Sequence, residues 1–266
     1  MGGTVLMNFA PPLSSVTTLH LSRVIDNRPI KFSELGRVLE ACGLLTSFAV
    51  YDDFLSNWPG TWASCQVPLL EKLHIFGNML SVSELLLFLD APKLKEVVIA
   101  PVAAGDLDLL LCHSTSQHVR FPLLTSLTLS LIYPEAFYVL LKASICFPTV
   151  ELLVLASTDL GNFFKIFTDE NSIVFPNLLD IAITVVDQHF AKLLHVVATF
   201  RQEHQVALRK IFVDAPSLEV LRSMDVDWYG AEFVEEDIWD RQRRMALYSH
   251  VQDLFVGSSD DNSDDS

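Results

Sequence analysis

The chain has 266 residues, of which 50% are apolar and 19% are charged, so it can bury a sizeable core and is not a disordered protein. Residues 225–266 hold 12 acidic and 3 basic residues, a net charge of −9, and residues 1–224 hold 21 acidic and 15 basic residues, a net charge of −6. Because both parts are acidic, binding to nucleic acid or to an anionic membrane is disfavoured. Because the sequence has no signal peptide, no apolar run of the ~18 residues that cross a membrane and no paired spacing of its four cysteines, we expect an intracellular protein, cytoplasmic or nuclear, with free and mostly buried thiols.

A six-residue unit with apolar residues at positions 1, 4 and 6 recurs eight times along the chain. The first residues of successive units lie 24 to 30 residues apart. The units begin at Val16, Leu45, Leu70, Leu94, Leu124, Val150, Leu178 and Leu208. Positions 4 and 6 are two residues apart, so their side chains point to the same face of a strand. The pattern predicts parallel strands joined by crossover connections, with each unit packed only against its neighbours.

Helical periodicity of apolar residues appears between several of these units. The stretches are 32–42, 81–90, 134–147 and 187–200. Ser83 is a candidate N-cap of the second helix, and Pro134 lies near the start of the third, where a missing N–H costs nothing. In the last stretch Phe190, Leu193, Leu194 and Val197 form one apolar stripe. Alternating strands and helices predict an α/β fold.

Three units are preceded by a Phe-Pro pair, at Phe121, Phe147 and Phe175. Proline disfavours helix in the residue before it, so each preceding helix is expected to end by the phenylalanine. Proline also donates no hydrogen bond, which is acceptable just before the paired part of a strand. We expect the three phenyl rings to stack beneath consecutive turns.

The units resemble leucine-rich repeats, whose pattern is L-x-x-L-x-L-x-x-[N/C]-x-L. The stretch 70–80, LEKLHIFGNML, fills every slot, whereas 45–55 has Asp53 and 150–160 has Thr158 in the asparagine slot. The other five units have Val24, Val102, Ile132, Val186 and Pro216 there. The resemblance implies an irregular right-handed solenoid, or horseshoe, of about eight repeats over residues 1–222, with a parallel sheet on the concave side and helices on the convex side.

The Phe-Pro-x-Leu lead-in is similar to that of the repeat half of fungal F-box proteins. That resemblance implies a substrate-recognition part of an F-box-type ubiquitin ligase. The F-box pattern itself is not found in the chain. We therefore expect either a truncated gene product or a paralogue that lost the box, and binding of the ubiquitin-ligase adaptor only if an F-box exists upstream.

The sequence contains no pattern typical of an enzyme or a cofactor site. Glycine-rich phosphate loops and the zinc-protease, EF-hand and G-x-S-x-G motifs are missing. Cys112, His113 and His118 are too few for a structural zinc site, so we expect a loop or core role for them and no bound metal. Asp106 and Asp108 are expected on a loop facing solvent. We expect no catalytic residues and no cofactor.

A protein partner on the concave face is the favoured function, because positions 3, 5 and 7 of each unit point away from the apolar core. Aromatic residues gather at its N-terminal end, and a small apolar patch in the middle, including Ala100, Leu152 and Ala156, requires a partner or a cover. The predicted partner-binding residues are His20, Tyr51, Lys72, His74, Phe76, Val98, Thr128 and Val154. The alternative is that the solenoid curls so that these residues pack against loops.

The C-terminal part differs in character. Residues 223–256 include an amphipathic pattern over 232–255, which predicts a helix that caps the last repeat or docks on a partner. Residues 257–266 predict an acidic, disordered tail, in which Ser258 lies three residues before Asp261 and is a candidate for phosphorylation by an acidophilic kinase.

A second class of function stays open. The acidic tail is distantly similar to that of GTPase activators of nuclear transport, which combine leucine-rich repeats with an acidic segment. The alternative to a ubiquitin-ligase role is therefore a free-standing leucine-rich-repeat regulatory protein, for example a GTPase regulator.

Overall fold

The structure of the chain is a computed structural model. The residues that the structure describes are 13–22, 30–51, 64–77, 82–113, 119–130, 138–156, 161–168, 173–184 and 186–238. Among these residues it is an α/β structure built on a nine-stranded parallel sheet. No helix in these ranges is both long enough and apolar enough to cross a membrane.

The strands follow the predicted units closely. They are β1 (Thr18–Ser22), β2 (Ser47–Tyr51), β3 (Cys65–Gln66), β4 (Lys72–Phe76), β5 (Leu89–Asp90), β6 (Glu96–Ala100), β7 (Ser126–Ser130), β8 (Leu152–Ala156), β9 (Asp180–Ile183), β10 (Lys210–Val213) and β11 (Glu232–Glu235). Strands β3 and β5 form a separate two-stranded parallel sheet. The other nine stand in chain order, so each pairs only with its neighbours along the chain.

The nine strands share one register. Leu19 pairs with Phe48, Phe48 with Leu73, and the same ladder continues through position 4 of every unit to Ile211 and then Phe233. The eight predicted strands and their parallel pairing are thus confirmed. Because the side-chain period of a strand is two, a shared register places all position 4 and position 6 side chains on one face.

A tight turn, closed by a backbone hydrogen bond to the first residue of the unit, precedes seven of the eight predicted units. In five of them a backbone hydrogen bond joins residue i to residue i+3 with proline as the second residue: Val67 to Leu70, Ala91 to Leu94, Phe121 to Leu124, Phe147 to Val150 and Phe175 to Leu178. Proline is favoured at this position of type I and type II turns because its φ is fixed near the required value. The three Phe-Pro pairs are therefore the first two residues of the third, fourth and fifth of these turns, and each places a large side chain in the core.

The phenylalanines of these turns are buried, but they do not form one stack. The rings of Phe121 and Phe147 lie 6.3 Å apart, as predicted. Phe175 has φ 49°, in the left-handed region, and its N–H donates to Ser144 Oγ at 2.6 Å. Its ring lies 6.4 Å from that of Phe167. The expected continuous stack ends at Phe147, because the different backbone of Phe175 directs its ring to another neighbour.

The helices lie on one face of the sheet. They are α1 (Phe32–Ala41), α2 (Val82–Phe88), α3 (Asp108–His113), α4 (Val139–Cys146), α5 (Gly161–Ile166), α6 (Gln188–Glu203) and α7 (Ala215–Ser223). Their buried apolar residues form one core with the position 4 and 6 side chains of the strands. Helix α6 begins at the N-cap Asp187, whose Oδ1 accepts from the N–H of Phe190 at 2.8 Å. The predicted stripe of α6 is confirmed, with Leu194 and Val197 fully buried.

Several predicted details are wrong. Ser83 lies inside α2, not at its N-cap, and its hydroxyl donates to the carbonyl of Asp106. The stretch 108–113, expected to begin in a loop, forms α3. The predicted C-terminal helix does not include Glu232–Glu235, which form β11 beside β10. Phe233 there occupies position 4 of a ninth unit that the apolar pattern does not show, because Glu235 stands at position 6.

Two arginines tie consecutive units together. Arg120 Nε donates to the carbonyl of Leu86 at 3.1 Å, and its Nη2 donates to those of Leu87 and Leu89, at the end of α2. Arg201, on α6, is buried and donates to the carbonyls of Val174, Phe175 and Leu178, in and beside the turn that precedes β9. Both guanidinium groups donate to backbone carbonyls of the preceding unit, and one of these carbonyls, that of Phe175, also accepts from the N–H of Leu178.

Candidate functional site

The side of the sheet opposite the helices is called the front face here, and it carries the side chains at positions 3, 5 and 7 of each unit. The position 3 row lies nearest the start of the strands. In this row Lys72 stands opposite Glu96, and Asp180 stands opposite Lys210. The position 5 row is His20, Ala49, His74, Val98, Thr128, Val154, Ala182, Phe212 and Val234. The position 7 row includes Ser22, Tyr51, Phe76, Ala100, Ser130 and Ala156. The side chains of the front face therefore form three rows, each of which runs across the strands.

Most of the predicted partner-binding residues are buried. Fully or almost fully buried are Tyr51, His74, Phe76, Val98, Thr128 and Val154. The expectation that the middle of the face is an exposed apolar patch is wrong, since Val98, Ala100 and Ala156 are each at most 1% exposed. The alternative given by the sequence, in which these side chains are covered, agrees with this burial. Strand periodicity identifies a face but does not indicate what packs on it.

The N-terminal end of the front face is an aromatic corner made of His20, Tyr51, His74 and Phe76. The ring of Tyr51 stacks between His20, at 5.9 Å, and Phe76, at 5.2 Å. His74 meets Phe76 edge-on at 6.0 Å. His20 Nδ1 lies 3.3 Å from the hydroxyl of Tyr51. The structure thus brings together four of the eight predicted residues, and His20 is the half-buried member through which this corner meets solvent.

Charge near this corner centres on Glu96, which sequence reasoning did not select. Its Oε1 lies 2.9 Å from Nε2 of His74, and its Oε2 lies 3.7 Å from Nζ of Lys72. Lys72 keeps 54% of its side chain exposed, so one predicted residue is available to a partner. Burial, followed by the charge of His74, lowers the pKa of His20. Glu96 could have been found from the register alone, which places it directly opposite Lys72.

Ion pairs continue along the exposed row at the start of the strands. Lys95 pairs with Glu71 at 2.9 Å, and that hydrogen bond lowers the pKa of Glu71. Farther along, Arg209 contacts Asp180 through two hydrogen bonds of 3.0 and 2.6 Å. Lys210 lies 3.4 Å from Glu232 of β11. The charged residues of the position 3 row, which form the charged row, are Lys72, Glu96, Asp180, Lys210 and Glu232. This row carries both signs of charge, and its lysines and Glu232 are accessible.

A small apolar cluster lies on the front face at its C-terminal end. Ile238, which follows β11, is 1% exposed and packs with Val154, Ala156 and Ala182. Leu152 and Phe212 border this cluster. It is separate from the core on the helix side of the sheet. A residue from the segment after the last strand thus occupies part of the predicted binding surface.

The two aspartates singled out in the sequence differ from each other. Asp108 begins α3 and pairs with Lys142 at the surface. Asp106 is buried, contrary to the expected solvent-facing position, and its Oδ2 accepts from the N–H of Ala103 at 2.7 Å. Burial raises the pKa of Asp106 to about 6. A buried carboxyl with one backbone donor is a structural element of the turn between β6 and α3.

The thiols and histidines offer little as ligands. Cys42, Cys65 and Cys146 are buried, Cys112 is exposed, and all four are free thiols. Burial raises the pKa of Cys65 to about 12, so this thiol stays protonated at neutral pH. Within the part of the chain that the structure describes, no three His, Cys, Asp or Glu side chains come together as a metal site would require.

Other predicted features lie outside the described residues. These are His118 and Pro134, the candidate asparagine-slot residues Asp53, Asn78 and Thr158, residues 239–256 of the predicted C-terminal helix, the tail 257–266 and its candidate phosphorylation site Ser258. Comparison of the chain with protein-family models, with curated proteins and with solved structures finds no match.

Proposed function

We propose that this chain is a leucine-rich-repeat solenoid that binds a partner protein along its charged row and the adjoining aromatic corner. The solenoid part of the proposal is supported by the shared register, by the X-Pro turn that recurs before five units and by the chain order of the strands. It is also supported by helices that all contribute to one core on one face.

The observation that carries the binding part is that this row presents exposed charges of both signs, since Lys72, Lys210 and Glu232 keep 54%, 37% and 63% of their side chains exposed. Lys72 and Lys210 are separated from each other by Glu96 and Asp180 along the same row. A polymer of uniform charge, such as nucleic acid, meets repulsion as well as attraction on such a row. A folded protein can match both signs at fixed positions, which gives specificity and register rather than bulk affinity. No catalytic role is part of this proposal.

Lys72 and Lys210 provide the direct test. The tagged full-length chain is expressed in its native host as wild type, as Lys72→Glu/Lys210→Glu and as Lys192→Glu, and the proteins that copurify are quantified by mass spectrometry. Lys192 is an exposed lysine on α6, on the other side of the sheet, and is the matched charge-reversal control. We expect a partner whose recovery falls about tenfold with the double variant, ~1.4 kcal/mol of binding energy, and is unchanged with the control. Equal recovery in all three sinks the proposal.

The resemblance of the repeats to those of fungal F-box proteins makes substrate recognition for a ubiquitin ligase the first role to test within this proposal. The same copurification reports it, because the ubiquitin-ligase adaptor would be recovered with the wild-type chain. If a partner is recovered but the adaptor is found in none of the samples, the alternative role of a free-standing regulatory protein is favoured. Stimulation of GTP hydrolysis is the assay for that role.

A further inference from the structure

The position 3 row carries an order of charges that is complementary to its own reverse. On seven consecutive strands of the large sheet, from β4 to β11, the row is Lys72, Glu96, Ser126, Leu152, Asp180, Lys210 and Glu232. Leu152, on β8, is the central member. Three strands away from it on either side stand Lys72 and Glu232, and two strands away stand Glu96 and Lys210. At equal distances from the centre, each lysine therefore has an acid as its counterpart.

We propose that the charged row binds a second copy of this chain, docked face to face about a two-fold axis that runs along β8. Such an axis reverses the row of the second copy against that of the first and makes the contact isologous. Lys72 then lies opposite Glu232 of the second copy, and Glu96 lies opposite Lys210 of the second copy. The two Leu152 side chains meet at the axis. Strand spacings match along the whole row, because both halves of the contact are the same sheet.

The charges at each end of the row form a square in this arrangement. Within one copy Nζ of Lys72 lies 3.7 Å from a carboxylate oxygen of Glu96, and Nζ of Lys210 lies 3.4 Å from one of Glu232. Docking sets one of these pairs against the other with the signs alternating around the square, and the symmetry produces two such squares. Several charges in a network contribute more than an isolated surface pair does. The exposed side chains of both lysines and of Glu232 are thus matched by the same residues of a second copy.

The same order of charges disfavours the neighbouring registers. A shift of the second copy by one strand in one direction places Lys72 opposite Lys210. A shift by one strand in the other direction places Glu96 opposite Glu232. Like charges directly opposed across an interface are repulsive, so both shifts are rejected and the register centred on Leu152 is selected.

Residues next to the row keep the contact weak. Lys95 and Arg209, each one residue before a member of the charged row, come opposite each other in the dimer. Their charges are partly neutralised within each copy, by Glu71 at 2.9 Å and by Asp180 at 2.6 Å. The exposed Glu151 meets its own counterpart near the axis, and the net charge of −15 adds repulsion between the copies. We therefore expect a weak dimer, with a dissociation constant of ~10–100 µM.

The assignment of a second copy rests on the proposed function, because it names an occupant of the same row. Another protein that needs Lys72 and Lys210 competes with the second copy for them. Dissociation of the dimer on dilution frees the row, so self-association regulates access to it.

Sedimentation velocity of the purified full-length chain, between about 1 and 200 µM in about 0.1 M salt, tests the pairing. The wild-type chain should shift from monomer to dimer across this range. Lys72→Glu puts a carboxylate opposite Glu232, and Glu232→Lys puts an amine opposite Lys72, so each change should raise the dissociation constant at least about tenfold. The combined variant Lys72→Glu/Glu232→Lys restores opposite signs and should return it to within about threefold of wild type. A wild-type chain that stays monomeric throughout, or a combined variant as weak as the single ones, overturns the proposal.

Two further variants control for bulk charge and for the position of the axis. Lys192→Glu, on α6, reverses a charge on the other side of the sheet and should leave the dissociation constant unchanged. Glu151→Gln removes the like charges at the axis and should lower the dissociation constant about threefold. An effect of Lys192→Glu as large as that of Lys72→Glu, or weaker association of Glu151→Gln, contradicts the proposed pairing. Far-ultraviolet circular dichroism establishes that each variant is folded.

The two proposals on this row fail separately. If the wild-type chain is monomeric while copurification still recovers another protein that requires Lys72 and Lys210, the second copy is excluded and the proposed function stands. If the dimer forms and the charge swap restores it, but no other protein depends on these lysines, the row serves self-association alone.

Discussion

Arg201 allows the energetic role of the repeated turns to be tested quantitatively. It is 1% exposed, and its guanidinium donates to the carbonyls of Val174 (3.1 Å), Phe175 (3.2 Å) and Leu178 (2.8 Å). Burial lowers its pKa to about 10. The substitution Arg201→Met keeps much of the side-chain volume and removes all three donors.

The expected loss follows from the carbonyls. Phe175 retains the N–H of Leu178 as a donor, so two carbonyls, those of Val174 and Leu178, lose their donor inside the protein. Each buried carbonyl without a partner costs ~1–3 kcal/mol. Removal of a buried charge gives back part of this, because its lowered pKa indicates a desolvation cost. We expect Arg201→Met to lower the free energy of unfolding by ~2–4 kcal/mol.

Urea unfolding followed by far-ultraviolet circular dichroism measures this free energy. Arg209→Met is the matched control, because Arg209 also donates twice to one neighbouring unit but is 60% exposed, and we expect a much smaller loss for it. If the two variants lose the same stability, or if Arg201→Met loses less than ~1 kcal/mol, the turn carbonyls do not need this donor and the reasoning fails.

Three further predictions concern the core and the titrating groups. The folded pKa of Asp106, about 6, is raised from 3.8, so the stabilising contribution of its protonated form is present below pH 4 and is lost as the pH rises from 4 to 6. Urea unfolding measured at a series of pH values should show the Asp106→Asn variant gaining up to about 3 kcal/mol relative to wild type across that window, and parallel stability curves contradict this. Phe147→Ala should cost ~3–5 kcal/mol by leaving a cavity beneath its turn, whereas Leu123→Ala, at an exposed position of the neighbouring turn, should cost far less; equal shifts of the melting midpoint refute the packing argument. Iodoacetamide at neutral pH should modify Cys112 in the folded chain and leave Cys65 intact, as peptide mass spectrometry can establish; rapid modification of Cys65 would show that the region around it opens.

The strand part of the fold could be predicted because one signal repeats. Apolar residues two apart, spaced by 24 to 30 residues, defined β1 through β10 of the large sheet together with their common register. The ninth strand, Glu232–Glu235, was not predicted, because it lies at the sheet edge, where half-exposed positions tolerate charge and no apolar alternation is required. Short helices such as Asp108–His113 were not predicted, because about one and a half turns show too little apolar periodicity.

The candidate site could be predicted only in part. The pattern correctly grouped Tyr51, His74 and Phe76 on one face, since strand periodicity decides which way a side chain points. It did not predict their burial, because that depends on contacts between residues distant in sequence, such as the stacking of Tyr51 on His20 and Phe76. Asp106 was misjudged for the same reason: an aspartate that follows Ala-Ala-Gly is typical of an exposed loop, whereas its burial involves residues distant in sequence, such as Ser83 of α2, whose hydroxyl donates to its carbonyl.

The chain order of the large sheet determines how the molecule responds to tension. Each of its nine strands is bonded only to the strands before and after it in the chain, so a force on the two termini acts first on β1 and β11, the two edges. A strand that leaves the edge breaks one ladder and exposes the next edge, with no other ladder of the large sheet disturbed. Successive strands begin 22 to 30 residues apart, so each step releases ~75–105 Å of extended chain. The sheet therefore behaves as a row of extensible links of nearly equal length, which yield in sequence from the ends inward.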